Sequence, residues 1–159
     1  MMPFDAARKI LRDMAAAVAP VALPMVELWP TGELVSNGNS VANATTSGAI
    51  QVQFPCDGYV VGIAATTRDA AAASMGGMLL RVVVDGNTDL FTTGAAGGYK
   101  PFAQISGVGA VGAVSGYWKC RIPFRQATAW QIYLNNTTAT NPLVADIGFA
   151  FVNVSQPKG

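Results

Sequence analysis

The stretch that decides the fold runs from Met78 to Thr92 and reads Met-Leu-Leu-Arg-Val-Val-Val-Asp-Gly-Asn-Thr-Asp-Leu-Phe-Thr. Its first part, Met78–Val84, is a short apolar run rich in β-branched valine, which predicts a buried strand. Asp85-Gly86-Asn87 follows, and Asp-Gly between two apolar runs is a strong local signal for a β-hairpin. We therefore predict a hairpin whose return strand spans Thr88–Thr92.

Short apolar or alternating runs of the same kind recur along the rest of the chain, with turn residues between them. We predict further strands at Val26–Trp29, Ile50–Phe54, Tyr59–Thr67, Tyr99–Ile105, Tyr117–Phe124, Ala129–Leu134 and Val144–Val154. The polar segment Ser36–Ser47 predicts a loop or a weak hairpin, Asn135-Asn136 a turn, and Arg68–Met75 a short helix. About eight strands with turns at intervals of about ten residues are typical of a sandwich or barrel with Greek-key connections. The predicted fold class is all-β, a jelly-roll-like antiparallel β-sandwich.

The N-terminal segment has a different periodicity, because Phe4, Ile10, Leu11 and Met14 recur at helical spacing with charged residues between them. Pro20 ends this pattern, since proline disfavours helix in the residue before it. We predict an N-terminal helical arm over residues 1–25 and a β-sandwich domain over residues 26–159. Two roles remain open for the arm: it packs on a neighbouring subunit, or it caps one end of its own domain.

The composition argues for assembly and against chemistry. The chain has 159 residues, no histidine, 12% charged residues and a net charge of +1, whereas charged residues usually make up about 25% of a globular protein. Sparse charge removes the repulsion that keeps monomers apart, so we expect self-association. The balanced charge gives no general attraction to nucleic acid or to a membrane, and we expect neither as a partner. Cys56 and Cys120 form no disulfide framework, and we expect both to be free thiols.

No pattern of residues in the chain predicts a catalytic, cofactor or metal site. Gly107-Val-Gly109-Ala-Val-Gly112 spells the dinucleotide fingerprint, but a strand-like segment follows it where that motif requires a helix. Zinc would lack ligands, since there is no histidine and only two distant cysteines. We expect no enzyme activity, although carboxylates of a β-fold can converge in space; the candidates for such convergence are Glu27, Glu33, Asp57 and Asp146.

The chain resembles phage virion proteins of the single jelly-roll type. Three features carry the resemblance: the helical arm, the body of about eight short strands, and the closing pair of strands in the ranges 121–136 and 146–152. The resemblance implies a virion structural protein, assembled in the host bacterial cytoplasm as a capsid decoration, fibre, spike or shell protein. It also implies a homo-oligomer, most often a trimer, that attaches to other virion proteins of the capsid or tail through its arm.

Seven residues are the candidates for the assembly interface, because they are large apolar or aromatic side chains on the arm or on the strands. They are Phe4, Ile10, Leu11, Met14, Tyr117, Trp118 and Trp130. A second hypothesis is a carbohydrate-binding β-sandwich module for host-surface glycans. It draws on the aromatic residues and on the Asn/Thr-rich segment Asn135–Asn141.

Overall fold

The structure, a computed structural model, describes residues 30–69, 71–91, 97–107 and 116–154. These residues form ten strands: β1 Gly32–Val41, β2 Thr45–Thr46, β3 Ile50–Val52, β4 Gly58–Thr67, β5 Met78–Val84, β6 Thr88–Asp89, β7 Lys100–Pro101, β8 Trp118–Phe124, β9 Trp130–Asn136 and β10 Leu143–Asn153. Two short helices, α1 Ala72–Gly77 and α2 Phe102–Ser106, interrupt the series.

The strands form two antiparallel sheets. The first has four strands in the order β1-β10-β4-β8. In the second, β9 and β5 lie side by side in the middle. The short strands β2 and β3 follow one another along the free side of β9, and β6 and β7 do the same along β5. The prediction of an all-β antiparallel sandwich is confirmed.

The strands pair from the outside of the chain inward. β1 pairs with β10, β2 and β3 with β9, β4 with β8, and β5 with β6 and β7. The body is therefore one long antiparallel ribbon, doubled back at the β5–β6 hairpin and folded over so that its pairs alternate between the two sheets. The hairpin that decides the fold lies at the far end of that ribbon.

The two sheets bury one face each against a common core. In β10 the alternate residues Leu143, Ala145, Ile147, Phe149 and Phe151 are buried, as the period of two in a strand requires. Phe54 is the centre of an aromatic cluster: its ring stacks on Phe124 at 4.0 Å and meets Trp130 edge-on at 5.0 Å. Each large side chain buried here contributes about 1.5–3 kcal/mol to the stability of the fold.

The predicted hairpin is present, with a shorter return strand. Val84 pairs with Thr88 and Val83 with Asp89, so the return strand covers Thr88–Asp89 and not Thr88–Thr92. Asp85 and Gly86 adopt φ values of 50° and 81°. Two consecutive positive φ values are what a type I′ turn requires, which explains the Asp-Gly pair at this position.

Three sequence predictions about local structure are wrong. Ser36–Ser47 was predicted as loop or weak hairpin, but its first part belongs to β1, where a bulge accommodates Gly38 and the amide of Asn39 donates to Ser36 O and Ala145 O. Most of Tyr99–Ile105 is helix α2, because Phe102, Ile105 and Ser106 bury one helical face. Asn135-Asn136 ends strand β9 and forms no turn.

The N-terminal arm over residues 1–25, with Phe4, Ile10, Leu11 and Met14, lies outside the described residues, as does the predicted strand Val26–Trp29. Both stay predictions. In the part of the chain that the structure describes, neither helix has the length and apolar character needed to cross a membrane.

Candidate functional site

The candidate site is the solvent-facing side of the four-stranded sheet, which we call the outer face. Strand alternation and register place on it one residue in two from each strand. Its members are Glu33 and Val35 of β1, Gly148, Ala150 and Val152 of β10, Tyr59, Gly62 and Ala64 of β4, and Tyr117, Lys119 and Arg121 in and just before β8.

The centre of the outer face is built from small residues. The register aligns Ala150 of β10 with Gly62 of β4, and Gly148 with Ala64. A side chain at Gly148 would meet the carboxylate of Glu33, whose Oε1 lies 3.2 Å from the position of a Cβ there. Val35, beside Gly148 in the register, is 48% exposed. This half of the face is shallow and mostly apolar, and the carboxylate of Glu33 reaches from the edge strand over Gly148.

The other half of the outer face is raised and basic. Tyr117 is 56% exposed, and its ring covers Gly62, where a Cβ would lie 2.8 Å from Tyr117 Cδ2. The Nζ atom of Lys119 lies 6.0 Å from the centroid of the Tyr117 ring, and Arg121 Cζ lies 5.0 Å from that of Tyr59. Cation–π contacts of this kind hold long cationic side chains along an aromatic surface and limit their motion.

The body residues predicted for the interface have different positions. Tyr117 lies on the outer face with more than half of its surface exposed. Trp118 is half-buried and packs against the core, edge-on to Phe91 at 5.1 Å. Trp130 is a correction: it is 0% exposed, in contact with Phe54 and Phe149. Because Trp130 faces the core in an alternating strand, its bulk stabilises the sandwich and contributes no surface for a partner.

The predicted carboxylates occupy separate structural positions. Asp57 accepts a hydrogen bond from the backbone N–H of Gln126 at 2.8 Å. Asp146 accepts one from the N–H of Gly38 at 2.6 Å and pairs with Arg68 at 3.5 Å. Glu33 lies on the outer face, and Glu27 is outside the described residues. Within residues 30–69, 71–91, 97–107 and 116–154, no three His, Cys, Asp or Glu side chains group closely enough to hold a metal ion.

Three groups near the turns and strand edges have shifted pKa values. Burial would raise the pKa of Asp69, but hydrogen bonds from Ser74 Oγ and Thr67 Oγ1 and the backbone N–H of Ala71 bring it below its ordinary value. Burial raises the pKa of Cys120 to about 12. Burial, and then the charge of Asp57, raise the pKa of Cys56. Both cysteines are free thiols, and neither has the lowered pKa of a reactive cysteine.

A polar cluster lies on the solvent side of the other sheet. Arg81 donates from Nε to Asp89 Oδ1 at 2.6 Å and from a terminal nitrogen to Oδ2 at 3.2 Å, and these hydrogen bonds raise the pKa of the guanidinium. Arg81 Cζ lies 5.3 Å from the centroid of the Tyr133 ring, and Tyr133 OH donates to Gln131 at 3.0 Å. Sequence reasoning missed this cluster. The available signal was an arginine within the apolar run Met78–Val84, close to an acid beyond the turn.

Three residues of the Asn/Thr-rich segment Asn135–Asn141, namely Asn136, Thr137 and Thr138, use their side-chain polar groups in hydrogen bonds within the protein. Asn136 is 0% exposed; its amide donates to Val41 O and Asn141 O, and its carbonyl oxygen accepts from Thr138 N and Oγ1. The buried groups of Asn136 are therefore not available to a sugar.

Compared with known proteins, the chain matches no family model, no curated sequence and no solved structure.

Proposed function

We propose that this chain is a structural protein that builds an assembly from copies of itself. The observation that carries the proposal is the outer face: a sheet surface of small and apolar residues with the exposed side chains Val35 and Tyr117. Exposed apolar surface rimmed by polar residues is typical of protein–protein contacts. On a chain with only 12% charged residues, little repulsion opposes such contact.

The proposal extends to the fold type and the biological setting. Pairing from the outside of the chain inward, with pairs distributed over two sheets, supports a jelly roll, an architecture that viral capsid proteins use. Together with the resemblance to phage virion proteins, it supports a role in a virion. The arm over residues 1–25 would tether the sandwich to the capsid or tail, and a trimer is the expected stoichiometry. The proposal assigns no reaction and no cofactor to the chain.

The test compares the full chain with a variant that lacks residues 1–25, by light scattering after size-exclusion chromatography and by binding to purified virions. Circular dichroism controls for an intact β-sandwich. We expect the full chain to form oligomers and join particles, and the shortened variant to lose particle binding. A shortened variant that binds particles as well as the full chain does would contradict the tether role.

A second candidate function is glycan binding, through the solvent side of the second sheet and not through the outer face or the segment Asn135–Asn141. The cluster of Arg81, Asp89, Tyr133 and Gln131 combines an aromatic ring with fixed donors and acceptors, and sugars bind to surfaces of this type. A glycan array with the full chain tests this hypothesis, with Tyr133→Ala as the variant that should lose binding. An array without any hit would dispose of it.

A further inference from the structure

The charges of the outer face are separated onto opposite edges of the sheet. The register runs straight across all four strands from Glu33 to Ala150, Gly62 and Lys119. One end of this row is acidic, its centre is uncharged, and its other end is basic, with Arg121 two residues further along β8. Asp146 lies farther along β10 and is already paired with Arg68.

The edge charges have no ion-pair partner of their own within the described residues. The two ion pairs found there are Arg68–Asp146 and Arg81–Asp89. Glu33, Lys119 and Arg121 are all exposed, and the cationic groups of Lys119 and Arg121 lie near the aromatic rings of Tyr117 and Tyr59. Each edge can therefore accept an opposite charge from outside without breaking an existing ion pair.

The shape of the outer face, like its charge, is complementary between its two halves. Tyr117 protrudes from the β4–β8 half, while Ala150 and Val35 leave the β1–β10 half shallow. A two-fold axis parallel to the strands, between β10 and β4, superposes each half on the opposite half of a second copy. A two-fold axis perpendicular to the strands would instead stack β1 on β1 and β8 on β8, and so place the acidic edges together and the basic edges together.

We propose that two copies of the chain pair through their outer faces about a two-fold axis parallel to the strands. This pairing sets Glu33 of each copy against Lys119 and Arg121 of the other, and Tyr117 of each against Val35 and Ala150 of the other. The small central residues let the two sheets approach to about 10 Å, the spacing of packed sheets. The contact is isologous, with the same patch used on both sides, so it closes after two copies.

This inference rests on the proposed function, because it names the partner and the surface of that self-association. It also adds a constraint on stoichiometry. The contact produces dimers, or hexamers where a three-fold contact joins three of them. The number of copies is then even, and the trimer expected above would be one half of a hexamer.

The test uses charge reversal in the full chain, followed by sedimentation equilibrium. The variants are Glu33→Lys and the pair Lys119→Glu with Arg121→Glu, each alone and then mixed. We expect each variant alone to bind itself at least about tenfold more weakly than the unaltered chain, because both charge clusters become repulsive. The equimolar mixture should recover the association, since in a mixed dimer every cluster again joins opposite charges.

Arg125→Glu is the control: this exposed arginine directly follows β8, and its reversal changes the net charge by as much as one of the two reversals at Lys119 and Arg121. Circular dichroism establishes that all variants keep the β-sandwich. If the unaltered chain associates but the reversals change nothing, or the mixture fails to recover, the face-to-face pairing is overturned while self-association stands. If the unaltered chain is a monomer at a concentration of about 100 μM, its dissociation constant lies well above that concentration, and the proposed function is overturned as well.

Discussion

Replacement of Asn136 by alanine tests how the structure uses a residue that looks like a turn former. The Asn136 side chain takes part in four hydrogen bonds: to Val41 O at 3.1 Å, to Asn141 O at 3.0 Å, and from Thr138 N and Oγ1 at 3.0 and 2.6 Å. At about 1 kcal/mol for each bond, Asn136→Ala should lower the free energy of unfolding by about 4 kcal/mol. The matched control is Asn135→Ala, a half-buried neighbour on the solvent side of β9, which should change it by less than about 0.5 kcal/mol.

Urea unfolding followed by tryptophan fluorescence measures both effects, since Trp130 lies in the core next to Phe54. With an m-value of about 2 kcal/mol/M, the midpoint for Asn136→Ala should fall by about 2 M relative to the unaltered chain. Far-UV circular dichroism before denaturation confirms that the variant starts folded. If the urea midpoints of the two asparagine variants differ by less than about 0.5 M, the stabilising role of the four hydrogen bonds of Asn136 is refuted.

Three further results are expected from single substitutions. Gly58→Ala should destabilise the fold by about 1–3 kcal/mol, because the new Cβ would overlap Val152 O and contact Phe124. Gly76→Ala has open space around it and should stabilise helix α1 by about 0.5–1 kcal/mol. Thermal unfolding compares the two variants, and equal melting temperatures would contradict the packing at Gly58. Asp69 has a lowered pKa in the folded state, so its carboxylate stabilises the fold above its unfolded pKa, and this contribution is lost as the pH falls through the folded value. Asp69→Asn should therefore lower the free energy of unfolding at about pH 7 and lower it less at about pH 2. Chemical denaturation at both pH values measures the two differences, and equal differences would rule this out. With a pKa of about 12, Cys120 in a Cys56→Ser variant should react with a thiol reagent at a rate that still rises about tenfold per pH unit at pH 9–10; a rate that levels off near pH 8 would contradict the burial of that thiol.

The sequence was sufficient where a local signal and the global pattern agreed. The hairpin at Asp85-Gly86 was predictable because positive φ is rare in other residues and these two tolerate it. The alternation in Trp118–Phe124 was predictable because one face contacts the core and the other solvent.

It was insufficient where long-range contacts decide the outcome. The polar run in β1 is a strand because β10 pairs with it along its length, and local propensity does not encode that pairing. The Tyr99–Ile105 stretch has apolar residues that suit a strand, yet Phe102, Ile105 and Ser106 fit the core at helical spacing.

The candidate site was only partly predictable for the same reason. Tyr117 could be named as an exposed aromatic, since it alternates with Trp118 on one strand. The sequence could not show whether Trp130 is a core or a surface residue, because the face of the sheet on which it lies depends on the register of β9 with β5. Glu33 and Lys119 lie on the first and eighth strands, and only the sheet order shows that they stand at opposite edges of one face.

The mass of the full chain in solution, measured by sedimentation equilibrium over a range of concentrations, tests self-association most directly. One chain is 16.5 kDa, so we expect a mass of at least about 33 kDa that falls toward the single-chain value on dilution. A constant mass of 16.5 kDa at every concentration would contradict the assembly role, because the outer face would then remain in water in every molecule.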